Sequence, residues 1–280
     1  MHGTYLLKGE CVMSTKKVIN ILHSDTSFSM DTAKYLKQKL LKLGYSVPKS
    51  FDFEAELIIC IGGDGSFLRA IHQYDFPDIP IIGINTGHLG FFAEVNPDEI
   101  DNFLDKYTAG DYFIEEINPL EATICTRSNC IETRGINEIV IKGDKSRTVH
   151  LDIFVNNHLI QRFSGDGILV ATSTGSTAYN YSIGGSLVDP KLNVVQVTPL
   201  APINTNAYRS FTSSVIFPSQ TVIKVNPEYR FEDSIVIVSD GTEHRCAGIS
   251  EVVLQLSELD IKLLRLGDYN FWGRVINKFL

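Results

Sequence analysis

The stretch LIICIGGDGSFLRA, residues 57–70, decides the fold. Its first half is a continuous apolar run that ends in glycines, and its second half has the spacing of an amphipathic helix. An apolar strand followed at once by a helix is typical of a parallel sheet with helices on both faces. The single acid among the glycines, Asp64, would then lie at the carboxyl end of a strand, where open α/β sheets bind ligands.

The alternation of strand and helix patterns extends over the first 110 residues. We predict further strands in KVINILHS (17–24) and IPIIGIN (79–85). We predict helices in DTAKYLKQKLLKLG (31–44), SFLRAIHQY (66–74) and NPDEIDNFLDKYTAG (96–110). In the last of these, Asn96 suits the N-cap, Pro97 the first turn and Gly110 the C-terminal stop.

After about residue 111 the pattern changes to a series of short strands, one of them predicted in IETRGINEIVIKG (131–143). Asn156 and Asn157 suit a two-residue hairpin turn, and STAYNYSIGGSLV (176–188) is the one helix signal within the series. We therefore predict an α/β N-terminal domain, a parallel sheet with flanking helices, and a mostly antiparallel β C-terminal domain. The predicted parts are an extension (1–13), the α/β nucleotide-binding domain (14–110), the β-rich domain (111–266) and a C-terminal helix (267–280) that packs back on the N-terminal domain.

Composition limits the function classes. The chain has 280 residues, 44% of them hydrophobic, and a formal net charge of −8 without a Lys/Arg-rich run. Such a chain is a poor partner for nucleic acid or an anionic membrane, and no apolar run is long enough to cross a bilayer. We predict a soluble cytoplasmic protein. Cys125 and Cys130 flank TRSN and could face each other across a hairpin, but free thiols are the simpler expectation in a reducing cytosol.

The glycines around Asp64 suit a phosphorylated ligand. Glycines after a buried strand let a ligand approach the backbone, and the N–H groups of the next helix start attract phosphate. A carboxylate beside phosphates can take a proton from an attacking hydroxyl or help to hold Mg²⁺. The alternative is a tight strand-to-helix turn in which Asp64 merely caps the helix.

Four other stretches carry polar groups in similar settings. SGDGILVATSTGSTAYNYSIGGSLVDP (164–190) has five hydroxyl residues before a helix, more than an N-cap needs. INEIVIKG (136–143) starts a strand with Asn137 and Glu138, which alone fits a solvated strand end. INTGHLGFFAE (84–94) contains His88, either a base or a residue that holds the loop together. SDG (239–241) could equally form a plain turn.

Together these stretches resemble the NAD kinase family, the ATP-dependent enzymes that phosphorylate NAD to NADP. The motif GGDG is shared with phosphofructokinases and with diacylglycerol-type lipid kinases, whereas the long GDG…TSTGSTAY segment is much more specific. The resemblance implies a phosphotransferase with an alcohol group as acceptor and makes the β-rich domain the NAD-binding one.

The resemblance also implies a role for each matching residue. Asp64 would be the general base that activates the 2′-hydroxyl of the adenosine ribose, with Gly65 beside the ligand. Asn137 would bind the adenine edge, Glu138 the ribose hydroxyls and Asp166 the nicotinamide end. Phe91 would form a wall on the adenine side, and Tyr179 would be the ring against the ligand. The pocket would be lined by the run Thr177, Ala178, Tyr179, Asn180, Tyr181 and Ser182, with Ala201, Tyr208 and Asp240 further out. Ser164 departs from the family, in which a basic residue often stands at this position.

The resemblance implies NAD as the substrate, Mg²⁺ or another divalent cation bound with ATP, and a homodimer or homotetramer. No residue is assigned as a metal ligand, and the donor could be ATP or polyphosphate. Two rivals stay open: a sugar or lipid kinase that shares GGDG, and a dinucleotide sensor without catalysis. A sugar kinase would not need Asn137 and Glu138 to surround a nucleobase, and a sensor without catalysis would not need the carboxylate of Asp64.

Overall fold

The computed structural model describes residues 17–205, 209–228 and 234–280. The chain divides into two compact units, one made of Met1–Ala70 and Ile79–Gly110, the other of Ile71–Asp78 and Asp111–Leu280. The predicted extension (1–13) and Tyr208 lie outside the described residues. The predicted domain boundaries stay a prediction.

The first unit contains a parallel sheet with helices. Its strands are β1 (Ile19–His23), β2 (Leu57–Gly62), β3 (Ile81–Asn85) and β4 (Ala93–Val95). Its helices are α1 (Ser27–Lys42), α2 (Asp64–Gln73), whose residues 71–73 belong to the second unit, and α3 (Ile100–Ala109). Strand β2 pairs in parallel with β1 and β3, and β4 pairs in parallel with β3. Every residue of β2 and β3 is buried, as in sheets covered on both faces. This confirms the predicted α/β architecture.

The ends of the helices follow from local chemistry. Asn96 and Glu99 form a capping box at a 3₁₀ turn, Pro97–Glu99, that leads directly into α3, and Gly110 ends the helix at φ 76°. These predictions are confirmed. Helix α1 begins at Ser27, earlier than the predicted residue 31, because Thr26 Oγ1 accepts a hydrogen bond from Ser29 N at 3.2 Å and caps the first turn.

The second unit is mostly antiparallel β structure. Its strands are β5 (Tyr112–Ile117), β6 (Leu120–Thr126), β7 (Cys130–Gly135), β8 (Glu138–Gly143), β9 (Val149–Val155), β10 (His158–Gly165), β11 (Gly167–Thr172), β12 (Val194–Leu200), β13 (Val215–Pro218), β14 (Ile223–Pro227), β15 (Ile235–Ser239), β16 (Thr242–His244), β17 (Ile249–Leu256) and β18 (Ile261–Leu266). Its helices are α4 (Tyr179–Ser182) and α5 (Phe271–Phe279). The predicted β-rich second part of the chain is confirmed.

Two six-stranded sheets form the body of this unit. One has the order β10-β9-β14-β17-β6-β7 and the other β13-β12-β11-β8-β15-β16, while β18 pairs with β5. Alternate side chains of both sheets, such as Ile124 and Ile153 of the first and Ile141 and Val170 of the second, share one core cluster. Burying each such side chain stabilises the fold by about 1.5–3 kcal/mol. The period of two in the sequence therefore marks the face that each strand turns inward.

Two predicted elements differ from the structure. The helix predicted over 176–188 is a 3₁₀ turn, Thr174–Thr177, followed by the single turn of α4, and Gly184 at φ 85° ends it. The one strand predicted over 131–143 is two strands, β7 and β8, separated at Ile136 and Asn137. The hairpin turn predicted at Asn156 and Asn157 is confirmed, since both have positive φ.

The cysteines and the C-terminal helix complete the fold. Cys125 and Cys130 lie opposite each other in the β6–β7 hairpin and form a disulfide, so the expectation of free thiols is wrong. Within the second unit, helix α5 contacts α4 through Phe279, whose ring centroid lies 4.3 Å from that of Tyr181. Its predicted docking on the N-terminal domain stays a prediction. No helix in the described parts of the chain is long and apolar enough to cross a membrane.

Candidate active site

The Asp64 carboxylate is held by the backbone of a loop that is distant in sequence. Asp64 is the first residue of α2, directly after the glycines that end β2. Phe91 N donates to its Oδ2 at 2.8 Å, and Phe92 N and Ala93 N donate to Oδ1 at 3.0 and 3.2 Å. The side chain therefore bonds to residues 91–93 and not to the first turn of its own helix. The alternative of a simple helix cap does not describe these contacts.

Gly90 explains why the loop 84–94 can approach Asp64 so closely. A Cβ atom at Gly90 would lie 2.6 Å from Asp64 Cγ and 2.7 Å from Oδ2, inside any real contact distance. The buried ring of Phe92 stacks on Phe67 of α2, with centroids 4.8 Å apart, and fixes the loop. His88 of the same loop is exposed.

The backbone on the other side of Asp64 is open. A Cβ atom at Gly63 or Gly65 would meet no described atom within 4 Å. An ionised carboxylate has about four acceptor positions, and the three N–H groups occupy three of them. Asp64 thus combines a fixed orientation with one position for a further donor, in a surround where a ligand can reach the peptide groups.

The second unit places Asn137 and Glu138 at the start of β8. Both residues are buried. The Asp240 carboxylate accepts hydrogen bonds from the backbone N–H groups of Ile136 (2.6 Å), Asn137 (2.9 Å) and Glu138 (3.2 Å). The side chain of Asp240 is itself 0% exposed. Asp240 therefore acts on the backbone of this turn.

Glu138 carries an unpaired polar atom. The residue is 8% exposed, and its Oε2 has no hydrogen-bond partner among the described atoms. Burial, and after it the nearby Asp240 carboxylate, raises the pKa of Glu138 to about 8. At neutral pH the group is mostly protonated, so it can donate one hydrogen bond as well as accept.

The hydroxyl-rich stretch packs against the same turn. Thr172 Oγ1 donates to Ile136 O at 2.7 Å and accepts from Gly175 N at 3.0 Å. Gly175 lies against the backbone of Asn137, where an added Cβ would be 2.7 Å from the Asn137 Cα. Part of this stretch therefore fixes the backbone of residues 136–138. This is a third role for the stretch, beside the helix cap and the ligand contact that the sequence suggested.

Three predicted ligand residues share one cavity of about 660 Å³ within the second unit. Asp166, Tyr179 and Ala201 line it. Lys145 and Arg147 of the β8–β9 turn lie on its wall and give it cationic groups. Cavities of this size commonly hold small ligands.

The rest of the predicted run 177–182 is divided between surface and interior. Tyr179 and Tyr181 are exposed, but the side chain of Asn180 is fully buried. Asn180 Oδ1 accepts from Thr198 Oγ1 at 2.6 Å, and its amide group lies against Gly185. What Asn180 offers a ligand is therefore not its side chain. Ser164, the departure from the family, is buried as well.

Comparison with known proteins decides the family. The ATP-NAD kinase N-terminal domain matches residues 4–112, and the ATP-NAD kinase C-terminal domain matches residues 136–262. The chain belongs to the NAD kinase family. An NAD kinase of Finegoldia magna is 40% identical over 272 residues, which cover 95% of this chain and 99% of the relative. NAD kinase 1 of Listeria monocytogenes is 34% identical over 233 residues, or 82% and 87% of the two chains.

Solved structures of NAD kinase relatives share the fold. Yeast NADH kinase complexed with NADH matches with a TM-score of 0.82 at 20% identity, over 94% of this chain and 87% of the other. The NAD kinase from Archaeoglobus fulgidus in complex with ATP matches with a TM-score of 0.75 at 23% identity, over 92% and 98% of the two chains.

Sequence reasoning missed two contacts, one within each unit. Gly90 stands in a recognised stretch, but nothing local shows that it faces Asp64. His72 lies in the last turn of α2, and its Nε2 is 2.8 Å from Asp240 Oδ2. A histidine in the last turn of a helix is common, so no sequence signal identifies this contact.

Proposed function

We propose that this chain transfers the γ-phosphoryl group of ATP to the 2′-hydroxyl of the adenosine ribose of NAD, with Asp64 as the general base. The observation that carries the proposal is the Asp64 carboxylate, held by three backbone N–H groups with one acceptor position remaining. A base in this setting is oriented before the substrate arrives, and the ribose hydroxyl would occupy the remaining position. Membership of the NAD kinase family supports the choice of substrate and donor.

Phosphoryl transfer asks for positioning and charge neutralisation more than for covalent chemistry. The bare backbone at Gly63 and Gly65 leaves room for phosphate oxygens near Asp64. Magnesium commonly binds through substrate phosphates and one or two carboxylates, so it would come with ATP and neutralise the developing charge. Asp64 would take the proton from the 2′-hydroxyl as the oxygen attacks the γ-phosphorus, while the bond from that phosphorus to the β–γ bridging oxygen breaks and ADP leaves.

The adenosine half of NAD would bind at the 136–138 turn. The unpaired Oε2 of Glu138 supports this assignment, because a buried polar atom without a partner is costly and a ribose hydroxyl would satisfy it. Asn137, beside it, would bond the edge of the adenine through its side-chain amide. Gly175 and Thr172 would keep the backbone of both residues in place.

The nicotinamide half would bind in the cavity lined by Asp166, Tyr179 and Ala201. The exposed ring of Tyr179 supports stacking, and Lys145 and Arg147 supply positive charge for the pyrophosphate of NAD. We also propose that the other predicted residues of the pocket contact the bound ligand: Phe91, Thr177, Ala178, Tyr181 and Ser182. We extend the proposal to a homodimer or homotetramer in the cytoplasm, with polyphosphate as the alternative donor.

A coupled assay for NADP formation tests the function. The protein is incubated with Mg²⁺, NAD, and either ATP or polyphosphate, and with fructose 6-phosphate or diacylglycerol in place of NAD. We expect a 2′-phosphorylated dinucleotide only in the NAD reactions. Product from the sugar or the lipid would favour the rival kinases, and NAD binding without product would favour a sensor.

Replacing Asp64 by Asn tests the base. We expect kcat to fall about 10²–10⁴-fold, the usual contribution of a general base. The Kd for NAD should change by less than about threefold, because the 2′-hydroxyl is one of many contacts. Asp152→Asn is the matched control, since Asp152 has an exposed ion pair with Arg162 at 3.8 Å. Wild-type turnover in Asp64→Asn would show that Asp64 is not the base.

A further inference from the structure

The turn between β15 and β16 has an unusual inward-facing acid. Asp240 (φ 44°) and Gly241 (φ 86°) are both left-handed, and Ser239 pairs with Thr242 across them. This is the geometry of a two-residue hairpin turn, for which Asp-Gly is a favoured sequence. Hairpin tips usually point into solvent, yet the side chain of Asp240 is 0% exposed. The turn alone does not explain why the carboxylate is buried.

The carboxylate is buried because it binds three successive backbone N–H groups. Ile136 N donates to Oδ2, and Asn137 N and Glu138 N donate to Oδ1. Asp240 N in turn donates to Glu138 O at 3.2 Å. Consecutive N–H groups that converge on one anion form a strong local electrostatic site. The β15–β16 turn thereby fixes the conformation of residues 136–138.

His72 supplies the fourth donor. Its Nε2 lies 2.8 Å from Asp240 Oδ2, and because an ionised carboxylate only accepts, this nitrogen carries the hydrogen. The imidazole is 24% exposed and meets the ring of Phe76 edge-on, with centroids 5.0 Å apart. The packing and the hydrogen bond together orient the ring toward Asp240.

A count of acceptor positions separates Asp240 from Asp64. Each carboxylate has about four such positions. Three backbone donors meet Asp64, whereas three backbone donors and His72 meet Asp240. Asp240 has no acceptor position left for a ligand, although the sequence resemblance placed it among the ligand contacts.

We propose that Asp240 and His72 are positioning residues that hold Asn137 and Glu138 in the geometry that binds the adenosine of NAD. Neither residue touches the ligand; both act through the backbone of residues 136–138. The inference rests on the proposed function only in the assignment of Asn137 and Glu138 to NAD. It predicts that weakening the Asp240 contacts lowers NAD affinity and leaves the use of ATP unchanged.

Two variants of His72 test the proposal without removing the buried carboxylate. His72→Leu deletes the donor, and His72→Gln keeps an N–H group that can reach Asp240. We expect His72→Leu to raise the Kd for NAD about 10- to 100-fold, the range that loss of a hydrogen bond to a charged acceptor spans. His72→Gln should restore the affinity to within about threefold, a rescue typical of a specific hydrogen bond. The KM for ATP should stay unchanged in both.

Hydrogen exchange gives a readout that needs no ligand. In Asp240→Asn, the side chain keeps one acceptor oxygen, and the other oxygen is replaced by an NH₂ group that donates. Some of the hydrogen bonds from residues 136–138 are therefore lost, and their amide protons should exchange faster than in wild type. Asp152→Asn, which changes a carboxylate of β9, is the control and should leave those amides unaffected. The NAD Kd of Asp240→Asn should rise with the exchange rate.

Each outcome decides between the assignments. Equal NAD affinity in His72→Leu and wild type, or no rescue by His72→Gln, overturns the positioning role of His72. Wild-type exchange at 136–138 in Asp240→Asn overturns that of Asp240. If the exchange accelerates but NAD affinity does not fall, and Glu138→Ala also binds NAD normally, the positioning is correct and the proposed adenosine site is wrong.

Discussion

A single added methyl group at Gly90 should displace the Asp64 carboxylate. In Gly90→Ala the new Cβ would lie 2.6 Å from Asp64 Cγ and 2.7 Å from Oδ2. Carbon and oxygen atoms settle at about 3.5 Å, so one of the two groups must retreat by about 1 Å. We expect the Asp64 carboxylate to move, because a side chain rotates more easily than the buried loop backbone at Gly90 shifts.

The size of the effect follows from that displacement. A misplacement of about 1 Å at a reacting group costs about 10²-fold in rate. This is about 2.7 kcal/mol in activation free energy. The retreat also strains the three hydrogen bonds from Phe91, Phe92 and Ala93. Overpacking of this kind lowers the free energy of unfolding by about 1–3 kcal/mol.

The assay measures kcat for NADP formation together with the Kd for NAD by calorimetry. Gly87→Ala is the matched control, because it adds the same methyl group to the same loop where no described atom lies within 4 Å. We expect kcat to fall about 10²-fold in Gly90→Ala and to stay near wild type in Gly87→Ala. Wild-type turnover in Gly90→Ala would refute the idea that the loop fixes the Asp64 carboxylate in the position that its proposed role as base requires.

Three further predictions concern stability and the NAD site. The pKa of Glu138 rises from 4.5 to about 8 on folding, so the folded state binds the proton of this group more tightly than the unfolded state does. The resulting contribution to the free energy of unfolding is fully present below about pH 4.5 and is lost as pH rises toward 8. At about 1.4 kcal/mol per pKa unit, the wild-type free energy of unfolding should fall by up to about 4 kcal/mol over this range. Urea unfolding at several pH values should show a flatter profile in Glu138→Gln, and parallel profiles would contradict the burial of a protonated acid. Gly175→Ala forces a Cβ against the backbone of Asn137; both the melting temperature and NAD affinity should fall, and a normal value of either would contradict the role of Gly175 in fixing that backbone. Glu115→Ala removes the carboxylate that accepts a hydrogen bond from the buried guanidinium of Arg265 at 2.7 Å; loss of this charge-assisted hydrogen bond should cost about 1.5–3 kcal/mol in urea unfolding, whereas a cost below about 1 kcal/mol would place this pair with ordinary surface ion pairs.

Elements with complete local signals were predictable. The 3₁₀ turn that leads into α3 has its capping box at Asn96, α3 ends at Gly110, and the hairpin at Asn156 has residues that accept positive φ. The element predicted over 176–188 was overestimated because its helical spacing is interrupted at Gly184, where the chain turns left-handed. Spacing alone does not show how soon a glycine ends a helix.

The candidate site was predictable as a set of stretches, but not as contacts. The sequence singled out Asp64, Asn137, Glu138 and Asp240, each beside a strand end. It did not show that Asp240 has all its acceptor positions filled, or that the side chain of Asn180 is buried. Such properties depend on neighbours that are distant in the chain.

By itself, the sequence determined where strands end, where glycines expose the backbone, and which family the motifs resemble. Those properties are local, since they depend on the φ preferences and spacing of adjacent residues. Only the tertiary structure decided which hydrogen-bond donors meet each of the two aspartate carboxylates. Asp64 meets donors 27 to 29 residues away, and Asp240 meets donors 102 to 168 residues away. Whether a carboxylate is a base, a ligand contact or a brace depends on how many donors reach it, and folding alone brings those donors together.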